Sequence, residues 1–167
     1  MDADLTRLAD RLGHDLKQAG RSVATAESCT GGWLSAVLTS IPGSSQWFER
    51  GFVSYSNMAK REMLGVKTET LTRHGAVSEA TARAMAEGAL AQSQADLTVA
   101  ITGIAGPSGG SAEKPVGTVC FAWAARKQPT QVRTEHFRGD RESVRHQALI
   151  AAIEGLNRLL ESLPKKN

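Results

Sequence analysis

Thr25-Ala26-Glu27-Ser28-Cys29-Thr30-Gly31-Gly32-Trp33-Leu34 is the stretch around which this chain is organised. Before it, Ser22 to Ala26 is short, apolar-rich and preceded by Gly20, and it reads as a strand. After it, Leu34, Val37, Leu38 and Ile41 recur at i, i+3, i+4 and i+7, the spacing of one helix face, and Pro42-Gly43 marks the stop. The helix is expected from about Gly31. A strand-to-helix turn of small residues would present the Ser28 hydroxyl at the carboxyl end of a strand, where open α/β sheets place their ligands. The new helix leaves backbone N–H groups there, suited to a phosphate or an oxyanion. Simple capping of the helix by Ser28 or Thr30 accounts for the same residues and is the commoner role of a lone serine before a helix.

Outward from this turn, the chain alternates. Leu5, Leu8, Leu12 and Leu16, with Asp2 and Asp4 ahead and Gly20 behind, predict a first helix. Phe52 to Tyr55 predicts a second strand, and Asn57 is expected to cap a short helix from Met58 to Leu64 closed by Gly65. Glu69 to His74 predicts a short helix or a turn, ended by Gly75. Ser78 opens a longer one, to about Gln94, with a small-residue face of Ala82, Met85, Ala86, Ala89 and Leu90. Leu97 to Thr102 reads as a strand that stops in a glycine-rich loop. Val116 to Ala125 and Gln131 to Phe137 predict a β-hairpin, and Glu142 to Leu163 a final helix with Val144, Leu149, Ile153, Leu156 and Leu160 inward. Residues 165–167 read as a frayed tail. Early alternation and a late hairpin predict an α/β fold: a three-layer α/β/α sandwich with a mixed β-sheet, residues 1–167 forming one domain.

Composition is that of an ordinary globular chain: 167 residues, 41% hydrophobic, 22% charged and 5% aromatic. A net charge of +3, without a basic run, argues against nucleic acid as a partner. Neither a signal peptide nor a bilayer-spanning run is present, so no membrane association is expected and cytoplasmic residence is the default. Cys29 and Cys120, far apart and without metal-ligand spacing, predict neither a disulfide framework nor a metal site. No cofactor is implied. The small-residue helix faces suggest a homo-oligomer.

Several residues carry candidate chemistry. A serine hydroxyl needs a base, and Lys60, in the first turn of a short helix where the dipole is unfavourable to a cation, is placed to have a lowered pKa. A solvated surface lysine is the commoner reading. Cys29 is a rival nucleophile, since a helix N-terminus also favours a thiolate. Glu27 reads either as a carboxylate orienting Lys60 or as a surface acid. The histidines, His14, His74, His136 and His146, stand in no partner motif. The loop from Gly103 to Gly110, with four glycines including Gly106, matches neither a Walker pattern nor GxGxxG, but it could bring backbone N–H groups close to a ligand. Arg138, Arg141 and Arg145 cluster at the start of the last helix, where a guanidinium could clamp a phosphate or simply decorate an exposed face.

Six motifs occur in one order: TAESCTGG at 25–32, PGSS at 42–45, Tyr55-Ser56-Asn57 with Lys60, GAVS at 75–78, TGIAGP at 102–107 and KPVGT at 114–118. Together they resemble the CinA C-terminal domain family, the nicotinamide-nucleotide amidohydrolases, over about residues 5 to 160, and specifically its stand-alone form. The resemblance implies hydrolysis of the carboxamide of nicotinamide mononucleotide to nicotinate mononucleotide and ammonia, in pyridine nucleotide recycling, by a metal-free Ser/Lys mechanism. It implies Ser28 as nucleophile and Lys60 as general base. Tyr55 and Asn57 match the residues beside that lysine, and Thr102 and Gly103 the strand end facing the site. On this basis Ser28, Lys60 and Tyr55 are the expected catalytic residues. Cys29, Thr30, Gly31, Asn57, Thr102, Gly103, Gly106, Arg141 and Arg145 are the expected contacts to a pyridine mononucleotide. Some family members are described as competence or damage-inducible proteins, which leaves a non-catalytic nucleotide-binding protein as the alternative.

Overall fold

A computed structural model of the chain describes residues 2–166; Met1 and Asn167, the last residue of the expected tail, lie outside the described residues. Five strands form one sheet: β1 (Val23–Glu27), β2 (Phe48–Val53), β3 (Leu97–Gly103), β4 (Thr118–Ala125) and β5 (Gln131–His136), in the spatial order β2-β1-β3-β4-β5. β1 runs parallel to both neighbours, whereas β3–β4 and β4–β5 are antiparallel, so the sheet is mixed. Six α-helices cover it: α1 (Ala3–Ala19), α2 (Trp33–Thr39), α3 (Asn57–Leu64), α4 (Thr68–His74), α5 (Glu79–Ala91) and α6 (Arg141–Ser162).

Side chains alternate across a strand, and this parity sorts the core into two layers. Val23, Leu97, Val99, Ile101, Val119, Phe121 and Trp123 face α1, α2 and α6 in one cluster. Ala26, Ala100, Cys120, Ala122 and Ala124 face α3, α4 and α5 in the other. The result is the expected three-layer α/β/α arrangement, with large residues on one side and small ones on the other. Small residues let α5 lie close: the Thr98 hydroxyl reaches the Ala86 carbonyl at 2.7 Å. The Ala82, Met85, Ala86 and Ala89 face of α5 is therefore buried inside the chain, and a second copy would have to meet other surfaces.

Some boundaries differ from the sequence reading. β2 ends at Val53, not Tyr55, because the next two carbonyls turn inward to a side chain described below. Ser56, not Asn57, caps α3: its Oγ accepts from the Ala59 N–H at 2.9 Å, and Asn57 becomes the exposed first helical residue. α5 stops at Ala91, three residues early. In the tail, Lys166 is tied back, its Nζ donating to the Gly20 carbonyl at 3.0 Å. Among the described residues no helix is long and apolar enough to cross a membrane.

Candidate active site

The site is built where β1 runs out. The Ser28 N–H still donates to the Ile101 carbonyl of β3 at 3.0 Å, so the serine sits one residue beyond the ladder at the carboxyl end of the sheet. The chain then turns through Gly31 and Gly32, at φ +57° and +98°. Two successive left-handed residues are a conformation that β-carbon-bearing side chains resist, which is why glycines stand there. Neither Ser28 nor Thr30 caps α2. That position is served by Glu27, whose buried carboxylate accepts from the Leu34 and Ser35 N–H groups at 2.8 and 2.9 Å. The Trp33 N–H donates to the Thr30 carbonyl at 2.9 Å, and that of Gly31 to the Ser28 carbonyl at 3.0 Å. The donors of the helix start are thus taken, contrary to the sequence expectation. Among the described residues, the N–H groups of Cys29 and Thr30 make no backbone hydrogen bond.

Lys60 comes from the other side. The cap at Ser56 starts α3 so that Lys60 lies one turn in and points beneath the β1–α2 turn. Its side chain is 1% exposed, yet no carboxylate pairs with it among the described residues. Its Nζ donates to Ser28 Oγ at 2.9 Å, to the Ser54 carbonyl at 3.0 Å and to the Tyr55 carbonyl at 2.9 Å. Three acceptors match the three hydrogens of an ammonium. They match a neutral amine as well: two N–H bonds remain on the carbonyls and the lone pair faces the Ser28 hydroxyl. Burial lowers the Lys60 pKa, with the neighbouring Cys29 working weakly the other way. A lysine held like this is placed to exchange a proton with Ser28.

Cys29 is the poorer nucleophile. Its thiol is buried against the larger core cluster, and desolvation pushes its pKa up to about 11. On the rim, Arg145 donates from Nε to the Cys29 carbonyl at 3.1 Å and from Nη2 to the Thr30 carbonyl at 3.2 Å, with its guanidinium 5.2 Å from the Trp33 ring centroid. Arg141 donates from Nη1 to the Gly106 carbonyl at 2.7 Å and from Nη2 to the Tyr55 hydroxyl at 3.4 Å. Trp33, Arg141, Glu142 and Arg145 line an open pocket there.

The CinA C-terminal domain family model matches residues 5–160. This chain belongs to that family. Over 155 residues it is 56% identical to the nicotinamide-nucleotide amidohydrolase PncC of Escherichia coli strain K12, covering 93% of this chain and 94% of that protein. It is 49% identical to the nicotinamide-nucleotide amidohydrolase PncC of Pseudomonas putida, covering 93% and 96%. The crystal structure of the competence/damage inducible protein CihA from Agrobacterium tumefaciens matches with a TM-score of 0.92 at 49% identity, covering 95% of this chain and 97% of that one.

Within this CinA-family domain, the expected site residues divide. Ser28, Cys29, Thr30, Gly31, Lys60, Arg145 and the Tyr55 carbonyl converge on the turn, and Gly106, Arg141 and the Tyr55 hydroxyl meet at its rim. Tyr55 is exposed, and its phenol bonds neither Ser28 nor Lys60. Strand parity puts the Thr102 hydroxyl on the α3–α5 side of the sheet, where it donates to the Ala76 carbonyl at 2.8 Å and ties the strand end to the segment before α5. Gly103 serves strand packing, since a β-carbon there would stand 2.8 Å from Val119 Cγ2. Asn57 makes no hydrogen bond to the site. The 103–117 loop is pinned by the Ile104 N–H on the Thr118 carbonyl at 2.9 Å and the Gly117 N–H on the Ile104 carbonyl at 2.7 Å. Glu27 is neither a surface acid nor a partner of Lys60. It and the buried Ser54, whose hydroxyl has no hydrogen-bond partner among the described residues, were not singled out for what they do here. No local signal finds Glu27, which ends β1 six residues before α2 begins at Trp33.

Proposed function

We propose that this chain hydrolyses the carboxamide of nicotinamide mononucleotide, giving nicotinate mononucleotide and ammonia, in the cytoplasmic recycling of pyridine nucleotides. The observation that carries this is the 2.9 Å contact between Lys60 Nζ and Ser28 Oγ, buried and without a counter-ion. Lys60 in its neutral form takes the Ser28 proton as Oγ forms a bond to the carboxamide carbon. The oxyanion is held by the N–H groups of Cys29 and Thr30, which make no backbone–backbone hydrogen bond among the described residues. One such donor is worth roughly 3 kcal/mol of transition-state stabilisation in serine hydrolases. The C–N bond then breaks, Lys60 returns the proton to the leaving nitrogen, and ammonia departs from the nicotinoyl ester. A water, deprotonated by the same amine, cleaves that ester and restores Ser28.

At the rim, Arg141 is the better candidate for the substrate phosphate, because Arg145 holds two carbonyls of the turn, those of Cys29 and Thr30, whereas Arg141 holds one carbonyl, that of Gly106, and reaches the Tyr55 hydroxyl only at 3.4 Å. The Gly103 to Gly110 backbone completes the cradle. The names of the relatives at 49–56% identity support the substrate assignment. The test is ammonia release from nicotinamide mononucleotide, nicotinamide riboside and free nicotinamide. Ser28→Ala and Lys60→Ala are each expected to lose about a thousandfold or more in kcat, and Cys29→Ala to keep activity. Wild-type turnover in both the serine and lysine variants would sink the mechanism, and equal turnover of free nicotinamide would sink the phosphate cradle. Tight nucleotide binding without any ammonia release would instead favour the non-catalytic alternative.

A further inference from the structure

We infer that Glu27 is a positioning residue for the amidase reaction, one that orients the Cys29 and Thr30 peptides toward the oxyanion; this rests on the function proposed above. Glu27 is fully buried, and its carboxylate is held by four donors. Oε1 accepts from Thr30 Oγ1 at 2.7 Å and from the Leu34 N–H at 2.8 Å. Oε2 accepts from the Ser35 N–H at 2.9 Å and from Ser35 Oγ at 2.7 Å. Because the Ser35 hydroxyl donates to Glu27, the 2.8 Å contact with Thr25 must be donated by Thr25 Oγ1. Gly51 on the neighbouring strand keeps this cluster possible, since a β-carbon there would lie 2.4 Å from Ser35 Oγ and 2.9 Å from Thr25 Oγ1.

Two consequences follow for the turn. First, the Leu34 and Ser35 N–H groups, which would otherwise compete for a developing negative charge, are already saturated. Second, bonds from Glu27 to residues 30, 34 and 35 close the chain into a ring with Ser28 to Gly32 at its crown. Arg145 fixes the crown from outside by holding the Cys29 carbonyl. In a trans peptide the N–H points opposite the carbonyl, so a Cys29 carbonyl held outward aims the Thr30 N–H the other way. Glu27 has no bond to Lys60, so it acts on orientation and not on basicity.

The experiment is steady-state ammonia release from nicotinamide mononucleotide by the wild type, Glu27→Gln and Thr30→Val, with full pH profiles. In Glu27→Gln an amide NH2 is set against donors that need an acceptor. The expected result is a fall in kcat of about a hundredfold, KM within about threefold, and an unmoved acid limb of the pH profile. Thr30→Val removes only the hydroxyl held by Oε1 and serves if Glu27→Gln does not fold. It is expected to lower kcat about tenfold at unchanged KM. Wild-type kcat in either folded variant overturns the proposal, as does a shifted acid limb or a KM that rises in step with the loss. A wild type that releases no ammonia overturns the amidase itself and this proposal with it, whereas an active wild type beside a fully active Glu27→Gln overturns this proposal alone.

Discussion

At the scale of single residues, Lys60 decides the behaviour of the molecule. A buried ammonium without a carboxylate among the described residues is a standing destabilisation, and the same burial that lowers its pKa suits it to the proposed role of base. For activity the sign is simple: kcat/KM should rise with pH through the lowered Lys60 value and level off before the ordinary lysine value of 10.5, as a pH–rate profile will read. A profile that climbs only around 10.5 would remove Lys60 as the base. For stability, the unfolded chain binds the Lys60 proton more tightly than the folded one. The penalty is complete below the folded value, shrinks as pH rises, and vanishes above 10.5. Lys60→Met should therefore be inactive, and its stability relative to wild type should fall as pH rises through the lowered Lys60 value toward 10.5, because only the wild type sheds the penalty. Urea midpoints of both proteins across that range test it, and a relative stability of the variant that rises with pH would contradict it. Ser28 and Lys60 stood out as candidates by residue type and local setting, but capping and a solvated lysine were the commoner local readings, and the motif resemblance is what joined them. Their contact was not legible, because 32 residues and a strand crossing separate them. Glu27 was misread because only the folded turn shows which way its carboxylate bends.

At the scale of elements, α3 is the part that carries Lys60, the proposed base, and its seat is made by α5. A β-carbon on Gly88 would fall 1.9 Å from the Leu64 carbonyl oxygen, the last residue of α3. Alanine improves helix propensity by about 1 kcal/mol, but forcing a backbone oxygen aside costs about 1–3 kcal/mol, so overpacking wins. Gly88→Ala should lower the melting temperature and, because Lys60 lies one turn from Leu64, reduce kcat as well. Circular dichroism melting with a parallel ammonia assay measures both, and a stabilised, fully active variant would contradict the packing argument. Most elements were legible: the leucine spacing of α1 and the buried runs of β3 and β4 are strong periodic signals. The β2–α3 junction was not. Ser54 and Tyr55 have strand-like neighbours in sequence, yet their carbonyls leave the ladder for an ammonium that no local pattern announces.

At the scale of the whole molecule, the fold class was legible and the strand order was not. Alternating helices and strands point to a layered α/β domain, but nothing local tells β3 to insert between β1 and β4. The difference between the two core layers also became visible only in three dimensions. The Phe121 and Trp123 rings stack at 5.5 Å on one face, and Trp123 Nε1 donates to the Ala152 carbonyl at 3.0 Å. The other face is mostly alanine. Ser28, the proposed nucleophile, extends β1, which is paired on both sides, while Lys60, the proposed base, rides on α3, directly after the edge strand β2. Edge segments with much exposed backbone open at lower free energy than a doubly paired centre. Mild urea should therefore detach the base from the nucleophile while the rest of the sheet persists, so the activity midpoint should precede the far-ultraviolet dichroism midpoint. Coincident midpoints would mean a single cooperative unit. Hydrogen exchange should then find the amides of residues 48–64 among the fastest in the sheet region, making the β2–α3 unit a weak foldon whose opening alone silences the enzyme.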